Sequence, residues 1–317
     1  MSFFVLTQST TPILGQISQL FGMIMNGIYN LFEQGLGIQS LALTIVVFTI
    51  FSRVLMLPVA FKQQKSMKEM QVIQPEIKKI QDKYKAKKDP ESQQKMQMEL
   101  SKLYQEHKVN PFGGCLPLLI QMPIIIALFE VLRNVPAYIT NIKGIYAGIA
   151  TQVMSVPGFE SVLVGINETK KVKDFDPMLE NKVIDLLGMF SSGDWAMLHE
   201  QFATISTAVQ PLVDKLDKIH YMFGINLAES PSLLGIGILL PVLNVLVQFL
   251  VSKTSMTSST DPAQANTMKT MTYTMPLVTG FFVTQMPAGL GLYWLVSSVF
   301  QLGQQLVINK HLHENKK

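Results

Sequence analysis

The chain has 317 residues, of which 48% are hydrophobic and 15% are charged, and its mean hydropathy is +0.28. This composition argues against an ordinary soluble protein and is typical of a multi-pass membrane protein. The net charge of +4 is unevenly placed: residues 61–110 carry twelve lysines against seven acids, and residues 135–230 carry seven lysines against eleven acids. Since lysine excess marks the cytoplasmic side of a membrane, we expect 61–110 inside and 135–230 outside.

Residues 1–37 are expected to hold an amphipathic helix. Apolar side chains such as Ile13, Ile17, Leu20 and Ile24 recur at helical spacing, which is typical of a helix lying at the membrane interface. The alternative for this segment is a sixth membrane crossing.

The rest of the chain is predicted to be an all-α membrane protein with five spans. The first, residues 38–60, is long enough for the ~30 Å hydrocarbon core at ~1.5 Å per residue. After it we expect a cytoplasmic helical hairpin (61–110), a second span (111–134), an extracytoplasmic helical subdomain (135–230), a third span (231–252), a cytoplasmic loop (253–269), a fourth span (270–287), a fifth span (288–309) and a cytoplasmic tail (310–317). The N-terminus then lies outside, and the lysine-bearing C-terminus lies in the cytoplasm.

The cytoplasmic segment is predicted to form two antiparallel helices. Apolar faces run through Ile73 and Ile77 and through Leu100 and Leu103, with a break or bend at Pro75. Six lysines give this hairpin a basic outer face that is expected to contact clients, ribosomal RNA or anionic lipid: Lys78, Lys79, Lys83, Lys85, Lys87 and Lys88. The alternative is a solvated charged hairpin without a partner.

Two helices are predicted in the extracytoplasmic segment. Asp176 and Pro177 are typical of a helix start, which predicts a helix over 178–190. Asp194 is expected to cap a second helix over 195–210, which Pro211 then interrupts.

Arg53 is the most informative residue of the chain, because it stands inside the first predicted span. It lies seven residues before the inner end of that span, roughly 10 Å into the membrane. Glu130, the one acid within the predicted spans, lies roughly 27 Å deep by the same helical rise. We therefore expect the guanidinium to be hydrated or bonded to neutral polar groups.

Neutral polar residues are predicted to surround Arg53. Thr49 lies one helical turn away, and Gln121 lies at a similar depth in the second span. In the fifth span Trp294, Ser298 and Gln301 follow one another at helical spacing, and Gln305 continues the stripe. Such a stripe is expected to face the bundle interior, which predicts a wet, positively charged groove open to the cytoplasm. The alternative is that Arg53 reaches the inner head groups while the glutamines bond helix to helix.

No enzymatic signature is present in the sequence. Phosphate-binding, nucleophile-elbow and zinc-protease motifs are absent, so we expect neither an enzyme nor a cofactor nor a metal site. Cys115 is the only cysteine, which excludes an intramolecular disulfide.

Residues 108–132 read KVNPFGGCLPLLIQMPIIIALFEVL, and this stretch resembles the bacterial YidC membrane-protein insertases. Their relatives are the mitochondrial oxidase-assembly and chloroplast Albino insertases. The similarity includes Arg53 with Pro58, the Gln74-Pro75 pair, Thr260-Asp261-Pro262, and the 287–294 stretch PAGLGLYW. The absence of a large soluble domain before the first span favours the Gram-positive-like form.

The resemblance implies a five-helix core around a hydrophilic groove in the bacterial plasma membrane, with Arg53 as the groove arginine. Thr49, Gln121 and Trp294 match groove-lining positions. The implied partners are nascent membrane-protein clients, ribosome–nascent chain complexes, the Sec translocon and membrane lipids, and DNA is not among them. The expected function is membrane-protein insertion and folding without nucleotide hydrolysis; the alternatives are an anion channel and a chaperone that holds subunits without inserting them.

Overall fold

The computed structural model describes residue 8 and residues 11–86, 89–109, 116–255 and 262–314. Within these residues the chain is almost entirely helical. The helices are α1 (Leu14–Leu36), α2 (Leu41–Val72), α3 (Gln74–Tyr84), α4 (Pro90–Glu106), α5 (Leu116–Arg133), α6 (Thr140–Met154), α7 (Phe159–Lys170), α8 (Glu180–Leu187), α9 (Ser192–Gln201), α10 (Ser206–His220), α11 (Leu239–Ser255), α12 (Pro262–Gln285) and α13 (Ala288–Glu314). Two short strands, β1 (Tyr221–Met222) and β2 (Ile225–Asn226), pair antiparallel.

The chain divides into two units. The first comprises Met1–Ile50, Pro123–Asn244 and Gly280–Ser297, and the second comprises Phe51–Met122, Val245–Thr279 and Ser298–Lys317. The first unit has a continuous apolar core, whose fully buried members include Tyr29, Phe48, Leu128, Leu132, Ile142, Ile149 and Leu187. This core joins α1 and the start of α2 to the segment that was predicted to lie outside the membrane.

Polar contacts in the first unit tie α1 to α6. The Asn26 side-chain oxygen accepts a hydrogen bond from the Thr140 backbone N–H at 3.0 Å. The Glu33 carboxylate accepts hydrogen bonds from the side-chain amides of Asn141 and Gln39. Glu33 therefore bonds both to Gln39, which follows α1, and to Asn141 in the outer segment.

Small residues allow α13 to pack closely within the first unit. A Cβ at Gly289 would stand 3.1 Å from the Leu227 carbonyl oxygen, whereas the existing Gly289 N–H donates to that oxygen at 2.9 Å. The Ala288 N–H donates to the Glu229 carbonyl at 2.7 Å. These bonds satisfy N–H groups that the first turn of a helix leaves without intrahelical partners.

The second unit contains the predicted helical hairpin. α3 and α4 pack through a small core of Ile73, Ile77, Leu100, Leu103 and Val109. Asp89 caps α4 by accepting a hydrogen bond from the Ser92 N–H at 2.8 Å. The helix is interrupted at Ile73, between α2 and α3, because Pro75 has no N–H with which to continue it. Both predicted helices and the break are therefore present.

The helix boundaries predicted for the outer segment are wrong for both helices, and α8 ends at Leu187 rather than at 190. α8 begins at Glu180 rather than at 178, because residues 177–179 form a turn in which the Asp176 carboxylate accepts from the Met178 N–H. Ser191 caps α9, and Asp194 is its partner in a capping box. The interruption falls at 202–205, and Pro211 lies inside α10.

Two stretches among the described residues are long and apolar enough to cross a membrane. These are Leu41–Met70 and Gly235–Thr254, with a mean hydropathy of 2.1 each. Along α11 and α12, large apolar side chains such as Leu246, Tyr273 and Phe281 are 54–62% exposed, which is typical of surfaces that contact lipid or a partner. The other predicted spans and the orientation of the termini stay predictions.

His220 is buried at the end of α10. Its side chain is 6% exposed, its ring centroid lies 6.4 Å from that of Tyr146, and its Nε2 has no hydrogen-bond partner among the described residues. Burial lowers the pKa of His220 to about 4. Since the pKa in the unfolded chain is ~6.5, the neutral ring favours the folded state above that pH.

Lowering the pH from 7 to 5 is expected to destabilise the region around α10 by about 2 kcal/mol, because protonation is then favoured only in the unfolded state. The measurement is hydrogen exchange of 206–226 in wild type and His220→Phe, compared at each pH. Of these two chains, the wild type should lose protection at pH 5 and His220→Phe should keep it. His199→Gln is the matched control, and an equal loss of protection in wild type and His220→Phe would contradict the assignment.

Candidate functional site

Arg53 and Gln121 come together in the second unit. Arg53 belongs to α2 and Gln121 to α5, and the guanidinium Nη2 donates to the Gln121 side-chain oxygen at 3.4 Å. Both side chains are half-buried. The structure therefore places a permanent cation beside a neutral amide, as the sequence predicted for this pair.

Arg53 lies on a face of α2 that points away from the exposed apolar face of the same helix. Phe51, Val54 and Leu55 are 49–64% exposed, whereas the residues between them on the other face, Ser52 and Arg53, are half-buried. An exposed apolar stripe of this kind suits lipid, and a guanidinium there would be costly. Arg53 consequently lies on the face that packs against protein.

Thr49 and Trp294 belong to the first unit. Thr49 is fully buried, and its hydroxyl donates to the Ile45 carbonyl one turn earlier at 2.6 Å. Trp294 is half-buried and packs against the apolar core of that unit. Thr49 thus bonds within its own helix, and the groove-lining role of both residues stays a prediction.

The polar stripe of α13 bonds to α11 in the second unit. The Ser298 hydroxyl donates to the Gln248 side-chain oxygen at 3.0 Å, and the Thr254 hydroxyl donates to the Gln305 side-chain oxygen at 2.5 Å. Ser298 and Gln305 are buried, and Gln301 between them is half-buried. The bonds of Ser298 and Gln305 join α13 to α11. The groove-lining role of Ser298 and Gln301 stays a prediction.

Gln248 and Thr254, the partners of this stripe in α11, were not predicted from the sequence. The available signal was the polar pair at i and i+4, Asn244 and Gln248, in an otherwise apolar helix. Asn244 is buried in the first unit, where its amide donates to the carbonyls of Leu240 at 2.9 Å and Gly291 at 3.1 Å. The polar side chains of α11 are therefore used for packing against α13 in each unit.

On the predicted basic face of the hairpin, Lys83 forms an ion pair within the hairpin. Lys83 Nζ lies 2.6 Å from Glu99, which also accepts a hydrogen bond from the Tyr84 hydroxyl at 2.9 Å. The hydrogen bond to Glu99 raises the pKa of Lys83. Lys79 and Lys85 are exposed and Lys78 is half-buried.

Some predicted residues lie outside the described part of the chain. They are Lys87 and Lys88, the stretch Asn110–Cys115, and the Thr260-Asp261 pair.

The comparison with known proteins decides the family. The family model described as 60Kd inner membrane protein matches residues 31–316. The chain belongs to this family. It is similar to the membrane protein insertase YidC of Fusobacterium nucleatum subsp. nucleatum, at 32% identity over 295 residues that cover 90% of this chain and 98% of that protein.

Two further relatives carry the same name. The membrane protein insertase YidC of Oceanobacillus iheyensis is 28% identical over 297 residues, covering 92% of this chain and 82% of that protein. That of Wolinella succinogenes is 30% identical over 273 residues, covering 86% of this chain and 34% of that protein. As a member of the 60Kd inner membrane protein family, the chain is a YidC-type membrane protein insertase of the cell membrane.

Proposed function

We propose that the chain inserts its clients through a hydrophilic, positively charged groove built around Arg53, without hydrolysing a nucleotide and without any covalent catalysis. The observation that carries the proposal is the hydrogen bond between the half-buried Arg53 guanidinium and the neutral Gln121 amide. A guanidinium keeps its charge at all physiological pH values and offers five donors. It therefore keeps its positive charge while it donates to Gln121, and that charge attracts a carboxylate.

The first step is electrostatic. An acidic residue in the polar outer segment of a client approaches Arg53 and forms a charge-assisted hydrogen bond, which is stronger than the bond to a neutral amide. At ~4 Å and an effective dielectric constant of ~20, this ion pair contributes at most about 4 kcal/mol before desolvation of the two charges. The groove also shortens the hydrocarbon path that the polar segment must cross.

The second step is driven by the client itself. Its apolar helix leaves sideways into lipid, and burial of apolar surface contributes roughly 25 cal/mol per Å². Because burial of a whole membrane span contributes far more than one ion pair does, no external energy source is needed for this step.

The proposed topology has five crossings, an outer N-terminus and a cytoplasmic C-terminus. It is supported by the lysine excess of residues 61–110 and by the two apolar stretches at Leu41–Met70 and Gly235–Thr254. The same topology places the α3–α4 hairpin in the cytoplasm. There it would receive ribosome–nascent chain complexes, with the Sec translocon as a further partner and folding assistance as a further activity.

Arg53→Ala is expected to impair insertion of a client with an acidic outer tail, because the attractive charge is lost, whereas Arg53→Lys should largely preserve it. The measurement is protease protection of the client in proteoliposomes that contain only this chain. The matched control is the same client with its tail carboxylates changed to amides, which should insert equally with all three chains. Unimpaired insertion of the acidic client by Arg53→Ala would refute the attraction step.

Gln121→Glu is expected to reduce acidic-client insertion about as strongly as Arg53→Ala. The near-isosteric carboxylate would stand within bonding distance of the guanidinium and neutralise it from inside. Gln121→Leu is the matched variant, since it removes the amide and leaves the charge available, and it should insert the acidic client at least as well as wild type. Equal effects of the two substitutions in the same protease-protection assay would count against charge as the cause.

The hairpin lysines are expected to bind ribosomes by charge. Changing both Lys79 and Lys85 to Gln should reduce the slope of log affinity against log salt concentration by about one per lysine that contacts a phosphate. The assay is co-sedimentation of the full chain in detergent with ribosomes at several salt concentrations. Lys83→Gln is the control, because Glu99 already pairs with Lys83; a salt slope unchanged by the double variant would contradict this contact.

A further inference from the structure

The turn between β1 and β2 has an unusual residue at its tip. Phe223 and Gly224 form the two-residue connection, and both have positive φ, at 50° and 80°. Two-residue hairpins of this kind favour Asn-Gly or Asp-Gly, since few L-residues adopt this region without strain. A bulky aromatic residue with positive φ is a true outlier, and strain of this kind persists where it serves a purpose.

Phe223 gains little from packing within the chain. Its side chain is 86% exposed, although a phenylalanine is among the residues that gain most from burial. The strained backbone and the exposed ring together indicate that something outside the chain contacts this side chain.

An apolar loop of the same unit lies beside the hairpin tip. A Cβ on Gly224 would be 3.9 Å from the Ile236 Cδ1 atom. Ile236 is 55% exposed, and the neighbouring Leu233 and Leu234 are 56% and 87% exposed. The hairpin tip and this loop thus approach each other at Gly224 and Ile236, and their exposed apolar residues Phe223, Leu233, Leu234 and Ile236 are called here the tip patch.

The position of the tip patch in the chain identifies its occupant. The apolar stretch Gly235–Thr254 begins inside the patch, and residues 230–252 carry no charged side chain. Three residues after Asn226 of β2, Glu229 accepts hydrogen bonds from Asn226 at 2.6 Å and from Ser192 at 3.0 Å, so its carboxylate is held by the subdomain. The tip patch is thus continuous with a stretch long and apolar enough to cross a membrane, and polar groups follow the hairpin in the chain, as in interfacial aromatic anchors.

We infer that the tip patch inserts into the outer leaflet of the membrane, with Phe223 as its anchor, and fixes the extracytoplasmic subdomain to the lipid surface where α11 begins. The ligand is the interfacial region of the bilayer, and no protein partner is required. This inference takes the side of the membrane from the proposed topology; it concerns a surface outside the proposed groove and does not depend on Arg53.

The test is a tryptophan depth measurement. In a background with Trp195→Phe and Trp294→Phe, the Phe223→Trp variant is reconstituted into vesicles that contain only this chain and either ordinary or brominated phosphatidylcholine. Ala208→Trp is the matched control, because it changes an exposed site twelve residues before His220 on α10, about 18 Å away along the helix.

The Phe223→Trp variant is expected to emit at short wavelength and to lose fluorescence most strongly to lipids brominated near the top of the acyl chain. The Ala208→Trp variant should be quenched much less, because its indole stays in water. Since position 223 is exposed, the substitution tests the contact rather than the stability of the fold.

Three outcomes would overturn the inference. The first is long-wavelength, unquenched emission from the Phe223→Trp variant, which means that the introduced indole is exposed to water. The second is blue-shifted but unquenched emission from the same variant, which means that a protein surface, such as a second copy of the chain, covers the patch. The third is equal quenching of the Phe223→Trp and Ala208→Trp variants, which means that the patch has no special depth.

Discussion

The structure depends on how a permanent positive charge is accommodated in an apolar helix. Arg53 is tolerated because its face of α2 is half-buried against protein while the opposite face of that helix is apolar and exposed. The nearby Gln121 oxygen accepts one of its hydrogen bonds. A neutral acceptor satisfies a donor without cancelling the charge, so the field of the guanidinium is retained. A carboxylate in place of the Gln121 amide would accept the same hydrogen bond, but it would neutralise the positive charge of Arg53.

Polar residues in the apolar helices serve two different purposes. Ser298 and Gln305 bond to Gln248 and Thr254 and so hold α13 to α11. The Ser298 hydroxyl and the Gln305 side-chain oxygen therefore take part in packing, whereas Arg53 carries a permanent charge beside a neutral amide. For that reason the proposed client contact rests on Arg53 and Gln121, and the stripe supports it by keeping helices of the second unit together.

The sequence predicted those features that follow from local periodicity. The amphipathic helix α1, the break at Pro75 and the two faces of the α3–α4 hairpin each follow from apolar spacing and from proline. The Arg53–Gln121 pair was also predicted, because depth along two helices is simple arithmetic. The break at 202–205 was missed because proline was taken as the interruption, whereas Pro211 lies inside α10. The partners Gln248 and Thr254 were missed because they depend on which helix lies beside α13, and periodicity within one helix carries no such information.

The continuity of α2 through Val72 has a further consequence for this chain. Residues 61–72 belong to the same continuous helix as Arg53. The direction in which the hairpin begins is therefore set by the rotation about the axis of that helix. One residue inserted between Arg53 and Ile73 would turn everything beyond it by about 100° and advance it by about 1.5 Å. The number of residues between Arg53 and Ile73 therefore sets the angle between the guanidinium and the start of the hairpin.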